Sequence, residues 1–218
     1  MPEYELLYFA APGRAETIRL MLHYAGIPFK DTRVDFKEWS ELKKNKERVP
    51  YEVLPVLFVD GVPLAESHAI YRYVAEITGL DGGPDPLERA FISQAHELCR
   101  GFADAAFPYI YVMMGFWDDD KDKSYNEVLL PNVEKHFPKI LAQLKPSGYF
   151  GKAGPTFVDF YWAEIIGQYR QFCPELMAKY PQFEKLRERI NSLPQIQEYL
   201  KNRPETKTWM RSEKSPSV

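Results

Sequence analysis

The amino-acid sequence predicts two domains, an α/β unit in residues 1–79 and an all-α helical unit after it. Strand-like and helix-like runs alternate as βαβ and then ββα up to residue 79, whereas apolar stripes at helical spacing dominate from residue 87. Between them, TGLDGGPDP gathers Gly, Pro and Asp without periodicity, which is typical of a linker, and we place the linker at 80–86. The 218 residues, 45% of them hydrophobic, suffice for this organisation.

The N-terminal pattern indicates a small mixed sheet with helices packed on it, as in the thioredoxin-like fold. The first strand is predicted over Tyr4–Phe9, and the Pro12–Gly13 turn leads into an amphipathic helix. KDTRVDF predicts a second strand, and DFKEWSELKKNKERVP predicts a short polar helix ending before Pro50. The Asp60–Gly61 turn then joins two antiparallel strands, PVLFVDG and VPLAE. A helix is predicted from Ser67, with an apolar stripe at Ile70, Tyr73, Val74 and Ile77.

The C-terminal part contains long helical stripes and no convincing strand. The first stripe comprises Phe91, Ala95, Leu98, Phe102, Ala105 and Tyr109. Two later stripes comprise Val158, Trp162, Ile165, Ile166 and Tyr169, then Phe183, Leu186, Ile190 and Leu193. Thr156 and Asp159 form an S/T-x-x-D capping pattern. We assign 87–210 to the helical domain and 211–218 to a flexible tail.

Charge and composition exclude several classes of function. A net charge of -3 and a pI near 5.9 give no basic face for nucleic acid. No apolar run reaches the ~20 residues of a membrane span, and the N-terminus lacks a signal-peptide pattern, so we expect a cytoplasmic protein. Cys99 and Cys173 are far apart and suggest buried thiols rather than a metal or redox site. DDDKDK, residues 118–123, lacks the Gly and terminal Glu of a calcium loop and is interpreted as solvated.

Tyr8 and Arg14 are the first candidates for chemistry. Tyr8 lies near the end of the first strand, and the turn after it opens a helix, so its hydroxyl is expected at the mouth of a cleft that favours anions. The alternative is a structural aromatic, since the chain holds 14 Tyr and 14 Phe. Arg14 supplies a permanent cation at the helix start, although pairing with Glu16 or another surface carboxylate would also explain it.

Further residues follow Tyr8 in an order and spacing that resemble the cytosolic glutathione transferases, most closely the sigma class. They are Trp39 and Lys43, the VLP run at Val53–Pro55, and the Glu66–Ser67 pair. The sigma class includes helminth enzymes and the glutathione-dependent prostaglandin D synthase. The resemblance continues through FVDFYWAE and the closing PQIQEYLKNRP, and therefore covers nearly the whole chain.

The resemblance implies glutathione as co-substrate, without a metal, and assigns contacts to its two ends. Trp39 and Lys43 would hold the glycine carboxylate through an indole N–H and an ammonium. Without the resemblance, a surface Lys beside a half-buried Trp explains them equally well. Glu66 would accept from the γ-glutamyl ammonium, and Ser67 with the helix N-terminus would bind the γ-glutamyl carboxylate. Ser67 would otherwise simply cap its helix.

The middle of glutathione is assigned to the VLP run. In the family the Pro that corresponds to Pro55 is cis, and the residue before it, here Leu54, offers backbone groups to the cysteinyl part. Val53 stands where many relatives have Gln or Lys, so one polar contact is expected to be lost.

The expected homodimer shows one departure from the family pattern. Relatives reach the γ-glutamyl ammonium with an acid from the partner subunit, and that position falls near Gly101 or Phe102. Glu97 or Asp104, one turn to either side, would substitute, or Glu66 would act alone. Tyr51 stands where some classes insert an aromatic side chain into the partner.

The chemistry implied is activation of a thiol for attack on an apolar electrophile. Tyr8 would donate to the glutathione thiolate, and Arg14 would support that anion. The electrophile pocket is expected between the domains, lined by Phe9, Ala11 or Pro12, and by Phe107, Tyr109, Met113 and Met114.

The sequence therefore predicts a glutathione S-transferase that conjugates hydrophobic electrophiles, as in detoxification. Two alternatives stay open. One is a prostaglandin D synthase or peroxidase on the same fold, which would share the glutathione site and differ in the pocket. The other is a non-catalytic ligand-binding or crystallin-like relative, which would have no need of the Tyr8 and Arg14 pair.

Overall fold

The computed structural model describes residues 2–204, which form two compact units. The first contains residues 2–83 together with 191–204, and the second contains residues 84–190. The break after Gly83 falls within the stretch that the sequence analysis assigned to a linker. The predicted flexible tail, 211–218, and residues 205–210 of the predicted helical domain lie outside the described residues.

The first unit is built on a four-stranded mixed sheet. The strands are β1 (Tyr4–Phe9), β2 (Lys30–Val34), β3 (Val56–Val59) and β4 (Val62–Ala65). Their order is β2-β1-β3-β4, with β1 and β2 parallel and the other two pairs antiparallel. The predicted hairpin is confirmed, since β3 and β4 meet across Asp60 and Gly61, both at positive φ.

Ten α-helices occur among the described residues. They are α1 (Gly13–Tyr24), α2 (Phe36–Leu42), α3 (Ser67–Thr78), α4 (Pro86–Met113), α5 (Lys121–Ser124), α6 (Leu130–Leu141), α7 (Phe157–Phe172), α8 (Pro174–Ala178), α9 (Pro181–Asn191) and α10 (Gln197–Asn202). A π-helical segment, Tyr125–Leu129, joins α5 to α6, and a 3-10 turn, Pro194–Ile196, precedes α10. Within residues 2–204 no helix is both long enough and apolar enough to cross a membrane.

The buried face of α3 differs from the predicted stripe. Ile70 and Val74 are buried as expected, but Tyr71 and Ala75 complete the face, and Tyr73 is only half-buried. Two aromatic residues on neighbouring turns fit the helical period almost equally well. Only the packing of α3 against α1 selects Tyr71.

The second unit, residues 84–190, is entirely helical between its turns, as predicted. Its core is a chain of edge-to-face aromatic contacts, with ring centroids 4.8–5.6 Å apart, through Phe102, Phe137, Trp162 and Phe183. α7 begins at the predicted capping box, in which the Asp159 carboxylate accepts from the Thr156 N–H at 2.7 Å.

The predicted stripe on α4 is wrong by one position along part of its length. Phe91 is 42% exposed and Ala105 is exposed, whereas Ile92, Cys99 and Ala106 are buried. The predicted and observed faces share three residues, Ala95, Phe102 and Tyr109. Periodicity alone therefore could not separate the two faces.

The acidic stretch at 118–123 and the two cysteines were predicted to be exposed and buried, respectively. Every residue of the 118–123 stretch is exposed, as predicted, and its second half enters α5 after the Asp120 cap. Cys99 and Cys173 are free thiols and both are buried.

The end of the described chain packs with the first unit rather than with the helical domain predicted over 87–210. The Tyr199 hydroxyl donates to the Glu16 carboxylate at 2.9 Å, and the Arg203 guanidinium lies 3.1 Å from the same group. The Tyr199 ring also stacks on His23, with centroids 4.3 Å apart. These contacts attach residues 191–204 to α1.

Candidate active site

The centre of the site is the Tyr8 hydroxyl at the end of β1. The side chain is 9% exposed, and its Oη accepts a hydrogen bond from the backbone N–H of Arg14 at 3.1 Å. Gly13, between them, has φ +42°, and a Cβ built there would lie 2.6 Å from Oη. Gly13 is therefore required both for the turn conformation and for the close approach of the phenol. Oη therefore acts as an acceptor toward Arg14, a role that does not use the hydroxyl proton.

A buried cation lies on one face of the Tyr8 ring. The Arg19 guanidinium carbon is 5.9 Å from the ring centroid, and the side chain is fully buried. Arg19 donates to the Ala11 carbonyl at 2.7 Å and to both carboxylate oxygens of Asp31 at 3.1 Å. Arg19 was not among the predicted site residues, although its position one turn after Ala15 on the apolar side of α1 is a signal present in the sequence.

Arg14 is the second residue of α1, and its side chain is exposed. Glu16, the surface partner considered for Arg14, is instead 1% exposed. Its carboxylate is bound by Arg19, Tyr199 and Arg203. Glu16 is therefore not the surface carboxylate that was considered as a partner for Arg14.

The Glu66–Ser67 pair forms the start of α3. Glu66 is the N-cap, with φ 69° and ψ 104° and no side-chain capping hydrogen bond, and Ser67 is the first helical residue. The expectation that Ser67 caps the helix is therefore wrong, because the N-cap position is one residue earlier. A positive φ at a non-glycine residue costs about 1–3 kcal/mol and occurs preferentially at functional sites. The Ser67 side chain is 4% exposed at a helix N-terminus, where backbone N–H groups favour an anion.

Trp39 and Leu54 pack on a single apolar cluster that includes Leu7, Val34 and Val56. The Trp39 ring meets Phe9 edge-to-face at 5.8 Å. Lys43, one turn after Trp39 at the end of α2, is exposed. The structure thus brings Trp39 and Leu54 to one cluster next to Phe9, with the Lys43 ammonium on the solvent side.

The VLP run leads into β3. The Leu54–Pro55 peptide bond is cis, as the resemblance implies. The pairing of β3 begins at Val56, so the backbone of Leu54 lies outside the sheet ladder. The apolar Val53 side chain is 37% exposed.

The predicted electrophile residues of the second unit divide into two groups. Phe107, Met113 and Met114 are half-buried near the end of α4. Tyr109 is 2% exposed, and its ring stacks on Tyr169 within the helical core. Three aromatic residues at and after this end of α4 were not predicted. The Tyr111 ring centroid lies 5.6 Å from that of Phe116 and 5.2 Å from that of Trp117.

Comparison with known proteins places this geometry in a family. Residues 4–76 match the family model for the glutathione S-transferase N-terminal domain, and residues 107–203 match that for its C-terminal domain. The chain is 34% identical over 208 residues to glutathione S-transferase 1 of Ascaris suum, covering 94% of this chain and 99% of the relative. The chain belongs to the glutathione S-transferase family. The mixed sheet and helical unit described above are those of a glutathione transferase.

Other relatives of this transferase include prostaglandin synthases. It is 32% identical over 212 residues to hematopoietic prostaglandin D synthase of Gallus gallus, covering 94% of this chain and 99% of the relative. Among solved structures, prostaglandin synthase D of Nilaparvata lugens has a TM-score of 0.81 at 28% identity, with 94% and 100% coverage. Na-GST-3 of Necator americanus, described as monomeric, has a TM-score of 0.86 at 36% identity, with 94% and 99% coverage.

Two positions linked to a partner subunit in the sequence analysis lie on the surface of this transferase. The Tyr51 side chain is 67% exposed. Near Gly101, Asp104 is exposed and pairs with Arg100 at 3.2 Å. Only the Oδ2 oxygen of Asp104 takes part in that hydrogen bond.

Proposed function

We propose that the Tyr8 hydroxyl donates a hydrogen bond to the glutathione sulfur, stabilises the thiolate, and thereby directs it at a hydrophobic electrophile. The observation that carries the proposal is the 3.1 Å hydrogen bond from the Arg14 N–H to Tyr8 Oη. That bond is accepted by the oxygen, so the proposed donation of the hydroxyl proton to the sulfur does not compete with it. A phenol that already accepts a hydrogen bond is also a stronger donor.

The energy required matches what such a contact supplies. A thiol with a pKa near 8.5 is mostly protonated at pH 7. A hydrogen bond to a charged group contributes about 1.5–3 kcal/mol, which lowers the thiol pKa by about one to two units. Arg14, in the first turn of α1, carries a permanent positive charge that would support the anion. No general base is needed in this scheme.

The remaining glutathione contacts are proposed as the resemblance assigns them. Trp39 and Lys43 bind the glycine carboxylate, and the Leu54 backbone before Pro55 pairs with the cysteinyl part. Glu66 and Ser67 bind the γ-glutamyl group. The position of Leu54 outside the β3 ladder supports its role, because the sheet does not use its backbone groups. The positive φ of Glu66 is a conformation found preferentially at functional sites.

The test is a pH titration of the ultraviolet absorbance of bound glutathione thiolate, in the native enzyme and in Tyr8→Phe, alongside turnover of an aromatic halide. We expect the thiol in the native complex to ionise one to two pKa units below free glutathione, as estimated from the hydrogen bond. Tyr8→Phe should return the thiol pKa toward the free value. Tyr4→Phe is a matched control, because Tyr4 is equally buried on the same strand but hydrogen-bonds to Tyr73.

Two results would contradict the proposal. One is a bound thiol that titrates as in free solution in the native enzyme. The other is an equal loss in Tyr8→Phe and Tyr4→Phe, which would indicate a general effect on the sheet. Either result would favour a non-catalytic binding role.

The apolar side of the site is proposed to use Phe107 and Met113 of α4, with Met114 at its end. Their half-buried rings and thioethers suit a hydrophobic electrophile. The contribution of Phe9 stays a prediction.

A prostaglandin D synthase activity is the second candidate, supported by the relatives of that name, and a direct assay of endoperoxide isomerisation with glutathione tests it. Sigma-class membership, a homodimer, a role in detoxification and a cytoplasmic location likewise stay predictions.

A further inference from the structure

A second phenol lies behind the proposed thiol site. Tyr71 of α3 is 1% exposed, and its hydroxyl donates to the backbone carbonyl of Arg14 at 2.6 Å. The hydroxyls of Ser67 and Thr17 also hydrogen-bond with this phenol. One buried side chain therefore touches the first turn of α1 and the first turn of α3.

These contacts place Arg14 between two tyrosines. Its N–H donates to Tyr8, and its C=O accepts from Tyr71, which comes 57 positions later in the chain. A helical carbonyl has a second lone pair beyond its intrahelical bond, so the Tyr71 contact is added to the helix rather than competing with it. The position of the Arg14 backbone, and with it the partner of Tyr8, is therefore fixed from the α3 side.

We propose that Tyr71 is a positioning residue of the thiol site, which holds the first turns of α1 and α3 together and so sets the alignment of the Tyr8 hydroxyl. The inference rests on the proposed function of Tyr8. It assigns Tyr71 no contact with glutathione.

The surroundings of Tyr71 suit this role. Burial raises the pKa of the Tyr71 hydroxyl, so the group stays protonated and remains a donor throughout the working pH range. Its ring is held edge-to-face by His68, with centroids 5.3 Å apart. Because Ser67 shares the phenol, binding of an anion at the α3 N-terminus and alignment of Tyr8 should depend on the same hydroxyl.

The test is Tyr71→Phe, which removes the hydroxyl and keeps the ring. Loss of one hydrogen bond should raise the pKa of the bound glutathione thiol by about half to one unit and lower kcat about threefold to tenfold. The KM for glutathione should rise by a similar factor. Tyr73→Phe is the matched control, because it removes a half-buried phenol from the same helix whose hydroxyl bonds to Tyr4 instead.

A double variant separates positioning from general loss of stability. If Tyr71 acts through Tyr8, Tyr71→Phe should leave the bound-thiol pKa unchanged in a Tyr8→Phe background. An unchanged thiol pKa in the single Tyr71→Phe variant, with urea unfolding showing a folded protein, would overturn the inference. So would a shift of equal size in Tyr73→Phe. A native enzyme that does not lower the thiol pKa would instead refute the proposed function itself.

Discussion

Replacement of Gly13 by Ala would test the geometry of the thiol site without removing any functional group. A Cβ at this position would lie 2.6 Å from Tyr8 Oη and 3.0 Å from its Cε1, whereas ordinary contact begins at 3.4 Å. Either the phenol or the turn must therefore move by several tenths of an ångström. The hydrogen bond from the Arg14 N–H, already 3.1 Å long, would be lengthened or lost.

Two energies enter the expected result. An Ala at positive φ costs about 1–2 kcal/mol of stability. Ala also lowers the conformational entropy of the unfolded chain relative to Gly, which offsets about 0.4–1 kcal/mol of that cost. We therefore expect a net loss of about 1 kcal/mol in the free energy of unfolding. Displacement of the phenol should add a catalytic loss of about tenfold, since a misplacement of about 1 Å costs up to about a hundredfold.

Gly26→Ala provides the control. Gly26 has φ +65°, so the substitution introduces the same kind of backbone strain, but no atom lies within 4 Å of the added Cβ. Urea unfolding of both variants, with bound-thiol titration and turnover of an aromatic halide, separates the two energies. Both variants should lose stability from the backbone strain, Gly13→Ala somewhat more because its Cβ also meets Tyr8, and only Gly13→Ala should lose thiol ionisation and turnover.

The reasoning would be refuted if Gly13→Ala kept native thiol ionisation and turnover while losing as much stability as Gly26→Ala. The contact between position 13 and the Tyr8 hydroxyl would then have no catalytic consequence. An equal loss of turnover in both variants would indicate a general response of the first unit to strain, and would equally remove the special role of the contact.

Three further predictions concern stability. Burial raises the pKa of Asp159 to about 7, above its value of about 3.9 in an unfolded chain. The folded state binds this proton more tightly than the unfolded state, so the stability that it contributes is lost as pH rises from about 4 through about 7. Asp159→Asn should therefore flatten that part of a plot of the free energy of unfolding, measured with urea, against pH. Tyr199→Phe should cost about 1–2 kcal/mol by removing a donor from Glu16, and hydrogen exchange in α10 should accelerate. Gly101→Ala should raise the free energy of unfolding, measured with urea, by about 0.5–1 kcal/mol and leave turnover unchanged. Its Cβ would lie 3.5 Å from the nearest atom, on His136, which is an ordinary contact.

The β3–β4 turn and the capping box of α7 could be predicted because their signals are local. Asp60–Gly61 predicts the hairpin, and Thr156 with Asp159 predicts the start of α7, each from residues within one turn. The resemblance added the positions of the proposed glutathione site, including the cis bond before Pro55.

Helix faces were less predictable. On α4 the sequence analysis chose Phe91 where the structure buries Ile92, and on α3 it chose Tyr73 where the structure buries Tyr71. Both errors arose where apolar or aromatic residues stand close together, because a period of 3.6 residues then admits two faces. The half-buried position of Tyr73 and the full burial of Tyr71 depend on the neighbouring helix.

By itself, the sequence determined the order of strands and helices, the family, and the Tyr8 turn with its glycine, because these depend on side-chain type and short-range backbone preference. Only the tertiary structure decided that Tyr71 bonds to the Arg14 carbonyl and that Tyr199 and Arg203 bind Glu16. Those partners are 57, 183 and 187 positions apart, and no local propensity couples them. They meet because α1 packs against α3 and the end of the chain returns to α1, and packing of whole elements is what brings distant polar groups into hydrogen-bond range.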